Sequence, residues 1–348
     1  MKALYRLVAG GLVVIVGAAL LFLFRAQALP PASGRYGIGR QPLDLTARQG
    51  TDATPIAELW FPIGADGPRP VLVYFPSWTG TEIENGFLIR DLVSHGFVVA
   101  TLRYPTAREI AAAPEERRGE PPDAMVFSSQ EAFDRTLSVG DAKVRARARD
   151  AAALLNRLER LDREPTGALA GRFDLDRIGI WGFSLGGAAA AEAAWLDPRF
   201  KAVVNLDGWL FADVAQHGVA QSYLFMSDAT PLPQPAELTS PDPVVRYTAI
   251  LDQGDYDREI AGLKRHGGYM LTIDGTAHIN FADAAARSRF RRLTGGGPLN
   301  AIRALTIVAT YLRGFFETQL LGTPSSLFTD APPPFAEAHL QAWPGDAH

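Results

Sequence analysis

The sequence contains no cysteine. This absence excludes disulfides, thiolate metal sites and a cysteine nucleophile together, although it leaves export open. Long runs of like charge are also absent, and 34 basic residues against 38 acidic ones give a formal net charge of −4. The sequence therefore gives no reason to expect binding to nucleic acid. Apolar residues make up 47% of the chain, enough for a substantial core, and one α/β domain is favoured over two smaller ones.

Residues 7–24 form a long stretch without charge, behind Lys2 and Arg6. As a helix with a rise of roughly 1.5 Å per residue, this stretch is about 27 Å long, close to the hydrocarbon thickness of a bilayer. An uncleaved anchor is favoured over a cleaved signal peptide, with Ala26-Gln27-Ala28 as its cleavage site, and over a buried core helix. We therefore expect residues 1–28 to anchor the chain in a membrane, with the following domain outside the cytoplasm. Cleavage would instead leave that domain secreted or periplasmic.

The rest of the sequence is organised as a linker, a domain and a tail. Residues 29–38 are rich in Pro, Gly and Ala, which suits a short tether, and residues 323–348 are expected to be extended and peripheral. Between them, over residues 39–322, strand-like runs alternate with helical patterns, which predicts a mostly parallel sheet with helices on both faces. The predicted strands are 55–61, 71–75, 97–102, 177–181, 202–206, 223–226 and 268–273. The predicted helices are 85–95, a long one from 141 onwards, 185–196, 256–266 and 299–320, and the stretches 104–140 and 231–243 break the pattern.

A candidate nucleophile, Ser184, lies in Gly182-Phe183-Ser184-Leu185-Gly186, between a predicted strand and an Ala-rich predicted helix. A serine on a tight strand-to-helix turn needs glycines where a side chain would collide with neighbouring backbone. The helix that follows supplies a positive dipole end, and the N–H of Leu185 is placed to donate to an oxyanion. A plain glycine turn is the alternative, but the flanking strand and helix favour a nucleophile.

Such a serine needs a histidine to take its proton, and His278 is the candidate base. It follows a predicted strand, at the sheet edge where α/β folds gather ligand-binding groups, and it lies C-terminal to the serine. The other histidines are expected to be structural or to lie in the tail: His95, His217, His266, His339 and His348.

Two aspartates compete for the third position, a carboxylate that would orient the histidine. Asp207 ends the predicted strand 202–206, and Asp228 follows the predicted strand 223–226. Position alone does not choose between them, and either could be an ordinary turn residue.

Three motifs occur in order along the chain: Gly182-Phe183-Ser184-Leu185-Gly186-Gly187, Asn205-Leu206-Asp207-Gly208-Trp209-Leu210-Phe211 and His278-Ile279-Asn280-Phe281-Ala282-Asp283. They resemble the platelet-activating-factor acetylhydrolase family of phospholipase A2-like esterases, over roughly residues 39–320. The resemblance implies the α/β-hydrolase fold and a serine carboxylic-ester hydrolase acting on a lipid-like or small ester. It also implies Asp207 as the acid in preference to Asp228.

The chain departs from this family in the loop after the early strand. Family members commonly carry a His-Gly segment there, whereas this sequence has Phe75-Pro76-Ser77-Trp78-Thr79-Gly80. A backbone N–H of Trp78 or Thr79 is expected to be the second oxyanion donor beside Leu185, although Trp78 could instead be a pocket wall.

The expected chemistry is acyl transfer by Ser184, His278 and Asp207, with no metal and no cofactor. Trp209, Leu210 and Phe211 are either an acyl pocket or plain packing. Two alternatives stay open: a polyester or peptide hydrolase on the same triad, and a membrane-tethered scaffold without catalysis. The sequence carries no signal for an oligomeric state.

Overall fold

The computed structural model describes residues 27–45, 55–106, 108–109, 124–287, 295–329 and 331–346. Within these ranges, nine strands form one sheet. They are β1 (Gly37–Leu43), β2 (Ile56–Ile63), β3 (Arg69–Phe75), β4 (Val98–Arg103), β5 (Phe173–Phe183), β6 (Phe200–Leu206), β7 (Ser222–Ser227), β8 (Gly268–Ile273) and β9 (Ala338–Trp343). Their order across the sheet is β1-β2-β4-β3-β5-β6-β7-β8-β9.

The six strands from β4 to β8 in this order pair in parallel, and the pairings β1-β2, β2-β4 and β8-β9 are antiparallel. The sheet is therefore mixed, with a parallel centre as the sequence predicts. Parallel strands bring their carboxyl ends to one edge, and in such sheets ligands bind at that edge.

Helices cover both faces of the sheet. The α-helices in the described ranges are α1 (Gly86–Ser94), α2 (Gln130–Asp162), α3 (Leu185–Leu196), α4 (Val214–His217), α5 (Pro235–Leu238), α6 (Pro243–His266) and α7 (Ala301–Leu321). One core layer lies between the sheet and the apolar sides of α2, α3 and α6, and a second lies between the sheet and α1 and α7. The apolar stripe predicted for the long helix, Val144, Ala148, Ala151, Leu155 and Leu158, is buried as expected.

The strand β5 shows why the central strands are apolar on both sides. Ile178 and Ile180 pack in the layer of α2 and α3, whereas Trp181 and Phe183 pack in the layer of α1 and α7. Because neither face meets water, the strand loses the alternation of polar and apolar residues that marks a half-exposed strand.

Two helices begin earlier than the sequence pattern indicates. The helix α2 begins at Gln130, inside the stretch 104–140 that was expected to be irregular, and the Ser129 hydroxyl caps it by accepting from the Ala132 N–H at 3.2 Å. The helix α6 begins at Pro243 rather than near residue 256, with the Asp242 carboxylate capping the N–H of Val244 at 2.9 Å. The prediction was wrong at both starts because the apolar period is weak there, although both capping residues are common at helix starts.

Both ends of the described chain pack on the domain more closely than predicted. In the expected linker 29–38, the N–H and hydroxyl of Ser33 donate to Asp91 in α1, at 3.1 and 2.7 Å. The Gln27 N–H donates to the carbonyl of Ala286 at 2.7 Å. In the expected peripheral tail, β9 pairs with β8 along its whole length and Ala338 is buried. The prediction of a peripheral tail over residues 323–348 was therefore wrong for β9.

Across the described ranges, no helix is both long enough and apolar enough to span a bilayer. The apolar segment 7–24 and the start of the cleavage motif at Ala26 lie outside the described residues, as does His348. The expected anchor or signal peptide stays a prediction.

Candidate active site

Ser184 occupies a strained turn between β5 and α3. Its φ of 56° and ψ of −129° lie in a region that residues other than glycine rarely adopt. The Ser184 N–H donates to the carbonyl of Leu206 at 2.8 Å, which ties the turn to the end of β6. A Cβ added to Gly182 would lie 2.2 Å from the backbone of Gly186, so the tight turn requires glycine there.

The end of β6 lies very close to this turn, and two further glycines make the close approach possible. A Cβ on Gly187 would lie 1.8 Å from Oδ1 of Asn205, and a Cβ on Gly208 would lie 2.0 Å from the carbonyl oxygen of Ser184. The buried Asn205 side chain closes the β6 turn by accepting from the Gly208 N–H at 3.0 Å and donating to the Gly208 carbonyl at 2.8 Å. These contacts fix the residue between them, Asp207, relative to Ser184.

Asp207 and His278 are hydrogen-bonded to each other. The Nδ1 of His278 lies 2.6 Å from Oδ2 of Asp207, and Oδ1 of Asp207 accepts the backbone N–H of Asp228 at 2.8 Å. The Phe183 ring stacks on the His278 ring with a centroid distance of 4.7 Å and an interplanar angle of 27°. Ser184, Asp207 and His278 all line one cavity. The structure thus brings together the three residues that the sequence singles out.

The competing aspartate, Asp228, has different partners. Its carboxylate accepts the N–H and the hydroxyl of Thr230, both at 2.9 Å, and so closes a turn after β7. Burial, reinforced by the nearby charge of Asp207, raises the pKa of Asp228 to about 6. Asp228 lines the same cavity but acts on Asp207 through its backbone N–H.

Opposing influences set the pKa of His278. Desolvation of the ring lowers it, whereas the hydrogen bond and charge of Asp207, with the charges of Asp228 and Glu84, raise it, and the net pKa is raised. The side chain is still 49% exposed, which leaves room for a substrate next to it. A carboxylate beside Nδ1 stabilises the protonated ring, the form that a base reaches after it has taken a proton.

The residues that follow His278 hold its loop in place. Oδ1 of Asn280 accepts the N–H of Ala277 at 3.0 Å, and the Asp283 carboxylate accepts the Phe87 N–H at 3.1 Å in the first turn of α1. The polar residues of this motif therefore anchor the histidine loop to the rest of the domain. Both Asn280 and Asp283 belong to the third sequence motif, which by itself does not indicate their anchoring role.

The expected oxyanion donors lie on two neighbouring backbones. Leu185, the first residue of α3, and Trp78, which is 6% exposed, both line the cavity, whereas Thr79 is exposed. A Cβ on Gly186 would lie 2.2 Å from the carbonyl oxygen of Phe75, so the loop after β3 touches the serine turn directly.

The cavity has a volume of about 370 Å³ and combines aromatic walls with carboxyl groups. Of the segment that was considered an acyl pocket, Trp209 and Phe211 line the cavity, whereas Leu210 packs in the core. The remaining large aromatic and acidic lining residues are Trp78, Phe225, Tyr256, Asp228, Asp252 and Asp255.

Three acidic residues of α6, to which no sequence motif pointed, hold the segment around Asp207. Asp252 accepts the indole N–H of Trp209 at 2.9 Å, Asp255 accepts the Leu210 N–H at 2.5 Å, and Glu259 accepts the Asn205 amide at 3.1 Å. Burial raises the pKa of Asp255 to about 7, and burial raises the pKa of Glu259 as well. The sequence signal for these residues was their spacing of three and four, which places them on one face of a helix. The predicted helix began only at residue 256, so Asp252 and Asp255 lay outside it.

In the part of the chain that the structure describes, no group of three or more acidic or histidine side chains is arranged to hold a metal ion. The carboxyls of Asp252, Asp255 and Glu259 instead accept hydrogen bonds from protein groups. Their role in this structure is to position the residues on both sides of Asp207.

A mixed sheet with a parallel centre, covered by helices and carrying a strained serine at a strand end, defines an α/β-hydrolase-like protein. A solved structure of a ferulic acid esterase from Streptomyces cinnamoneus has a similar fold, with a TM-score of 0.64 over 91% of this chain and 99% of that one. The two sequences are 23% identical, so this likeness is one of fold.

Residues 85–288 match the sequence model of the family described as platelet-activating factor acetylhydrolase, isoform II. The chain belongs to this family, which confirms the resemblance carried by the three motifs. It is 27% identical over 222 residues to the platelet-activating factor acetylhydrolase of Bos taurus, covering 56% of this chain and 43% of that protein. The enzyme of the same name from Canis lupus familiaris is 25% identical with the same coverage. The match thus spans less than half the length of these curated relatives.

Proposed function

We propose that this protein is a serine carboxylic-ester hydrolase, with Ser184 as nucleophile, His278 as general base and Asp207 as the residue that orients His278. The observation that carries the proposal is the 2.6 Å contact between His278 Nδ1 and Asp207 Oδ2, in the cavity lined by the strained Ser184. A histidine held in this way, beside a serine on a strand-to-helix turn, is the machinery of acyl transfer.

In the first half of the reaction, the Ser184 oxygen attacks the ester carbonyl while Nε2 of His278 takes the hydroxyl proton. The tetrahedral intermediate collapses to an acyl-enzyme, and the protonated His278 gives its proton to the departing alcohol. In the second half, His278 takes a proton from water, which attacks the acyl-enzyme, and the acid is released as Ser184 regains its proton. Asp207 holds the tautomer with the proton on Nδ1 and stabilises the imidazolium throughout.

The negative charge that develops on the carbonyl oxygen needs backbone donors. Leu185, at the start of α3, supplies one N–H together with the positive end of the helix dipole. The loop after β3 supplies the second from Trp78 or Thr79. The direct contact between this loop and Gly186 supports the pairing of these two backbones around one oxyanion.

The substrate that this cavity suits is a small ester or the ester end of a lipid. Trp78, Trp209 and Phe211 give apolar contact for an acyl group, and a volume of about 370 Å³ is at the small end for ligand cavities. Family membership supports the same substrate class. A series of esters of graded acyl length, with a polyester and a peptide as controls, would separate this substrate class from the two alternatives on the same triad.

The test of the mechanism compares two serines of one cavity. Ser184→Ala should abolish ester hydrolysis and labelling by a fluorophosphonate, whereas Ser227→Ala should retain both, because Ser227 also lines the cavity but donates only to the Asp228 carbonyl at 3.2 Å. Full activity in the Ser184→Ala protein, or active wild-type protein that the probe does not label, would show that the proposal is wrong. A wild-type protein without any hydrolytic activity would favour the scaffold alternative.

A further inference from the structure

Arg147 is a buried cation beneath the loop that follows β3. It lies in α2, is 3% exposed, and points its guanidinium at the loop rather than at solvent. Nη1 donates to the carbonyl of Pro76 at 2.7 Å, and Nη2 donates to the carbonyl of Trp78 at 3.1 Å. One side chain therefore binds two carbonyls of a single loop, from residues that are two positions apart.

These two hydrogen bonds fix the direction of the neighbouring N–H groups. In a trans peptide the C=O of one residue and the N–H of the next point in opposite directions. The Ser77 N–H accordingly points away from Arg147 and donates to the Glu84 carboxylate at 2.7 Å. By the same rule, the Thr79 N–H points away from Arg147. The peptide group that carries the Trp78 N–H lies between the two peptide groups whose carbonyls Arg147 binds.

Neighbouring residues hold the Arg147 side chain and the loop in place. The Tyr104 ring lies 5.0 Å from the guanidinium carbon, and the Tyr104 hydroxyl donates to Asp150, also in α2, at 2.9 Å. The Tyr104 N–H donates to the carbonyl of Gly80 at 2.6 Å, which closes the far end of the loop. A Cβ on Gly80 would lie 2.6 Å from Nη2 of Arg147, so glycine is needed for this close approach.

Stability alone is a weak reason for this arrangement. A buried guanidinium loses its hydration, and apolar residues of similar volume often stabilise a core as well or better. Fork-shaped donors are distinctive in holding two acceptors in a fixed relation, which a lysine or an apolar residue does not reproduce. The held segment begins at Pro76, whose carbonyl would lie 2.6 Å from a Cβ on Gly186 in the serine turn.

We propose that Arg147 is a positioning residue for the oxyanion hole: by holding the Pro76 and Trp78 carbonyls, it sets the second backbone donor at its working distance from Leu185. This inference deepens the proposed esterase and depends on it. Arg147 is not among the residues that line the cavity. It acts through the loop between β3 and α1, where this chain lacks the His-Gly segment common in the family.

The experiment uses Arg147→Ala and Arg147→Lys, with Arg145→Ala as the matched control on the same helix. Arg145 is 40% exposed and pairs with Asp213 at 2.9 Å, away from the loop. Arg147→Ala should lower kcat about 10²-fold, the size expected for a lost oxyanion donor, with KM changed less than about threefold. The affinity for a boronic acid that mimics the tetrahedral intermediate should fall by a similar factor. Added millimolar guanidinium should restore part of kcat in this variant, and Arg145→Ala should resemble the wild type.

Counting active sites with a fluorophosphonate separates a positioning role from a folding role. If the Arg147 variants lost activity only in proportion to the sites lost, with a normal kcat per site, the inference would be wrong. Normal kcat and normal boronate affinity in the folded Arg147 variants would also overturn the inference. The esterase proposal would still stand in that case, provided that the wild-type protein is active and Ser184→Ala is inactive. Should Arg147→Ala fail to fold, Arg147→Lys decides, since it keeps the charge but not the fork. A kcat at least about tenfold below wild type is expected for it.

Discussion

Replacing Asp207 by asparagine should remove the electrostatic part of the site while leaving its shape. Asparagine has nearly the same size, and it tolerates the positive φ of 56° that Asp207 adopts. The amide oxygen could still accept the Asp228 N–H, which now bonds Oδ1 at 2.8 Å. What changes is the 2.6 Å contact with His278 Nδ1, where a neutral amide replaces a carboxylate.

The expected loss in kcat for Asp207→Asn is on the order of 10³- to 10⁴-fold. Two effects contribute. The charged hydrogen bond that stabilises the imidazolium is lost, and an amide N–H facing Nδ1 would favour the wrong tautomer, which leaves Nε2 protonated and unable to act as a base. A loss of this size corresponds to roughly 4 to 5.5 kcal/mol of transition-state stabilisation. KM should change little, because the hydrogen bond that is lost joins two protein groups, Asp207 and His278.

The matched control is Asp228→Asn. Asp228 lines the same cavity, but its carboxylate bonds Thr230, and its link to Asp207 is through the backbone N–H, which the substitution keeps. Its activity should stay within about tenfold of the wild type, since only a longer-range charge is removed. Steady-state hydrolysis of a chromogenic ester, with thermal unfolding to check the fold, measures both variants. A larger loss in Asp228→Asn than in Asp207→Asn would refute this reasoning and move the acid to Asp228.

The raised pKa of His278 predicts that kcat/KM rises with pH through a value above the ordinary 6.5, because the base must be neutral. In Asp207→Asn the rise of the residual kcat/KM should move to lower pH, because desolvation, which lowers the pKa of His278, then loses its main opponent. A rise at an unchanged pH would count against Asp207 as the partner of His278. Gly187→Ala should destabilise the fold by more than about 2 kcal/mol, since its Cβ would lie 1.8 Å from Asn205, and chemical denaturation measures the effect. Gly254→Ala, in α6, should instead stabilise by about 0.5–1 kcal/mol, because its Cβ would make only an ordinary contact of 3.6 Å with the Arg258 guanidinium. Burial raises the pKa of Asp255 from 3.8 to about 7, so its carboxyl stays protonated in the folded state and the free energy of unfolding should fall as pH rises through that window. Asp255→Asn should reduce this fall by a few kcal/mol in denaturation curves taken at the two ends of the window, and an unchanged slope would contradict it.

The parts of the fold that the sequence predicts well are those with a strong period and clear ends. The predicted helix 185–196 and strand 268–273 match α3 and β8 residue for residue, because buried apolar runs there are bounded by serine, glycine or aspartate. Edge strands are harder. The strand β9 alternates with polar residues, and β1 contains two glycines and Pro42, since an edge strand has only one neighbour and needs little apolar surface.

The candidate site divides in the same way. Ser184, Asp207, Asp228 and His278 each follow a strand, and parallel strands gather such residues at one edge, so their meeting could be predicted. Strand position did not choose between the two aspartates, and the preference for Asp207 came from the resemblance to the family. Arg147 and Asp255 could not be found in this way. Both lie on long helices, and which helical residue faces a given loop depends on how the helix packs, which no local pattern records.

The bond between Gln27 and the carbonyl of Ala286 also bears on how this protein could be handled. It places the start of the described chain at the end of the molecule that carries the histidine loop. At the other terminus, the Asp346 N–H bonds the Arg265 carbonyl in the last turn of α6, at the opposite edge of the sheet. A group attached at the C-terminal side would therefore lie away from the histidine loop, whereas a group attached at Gln27 would lie beside it.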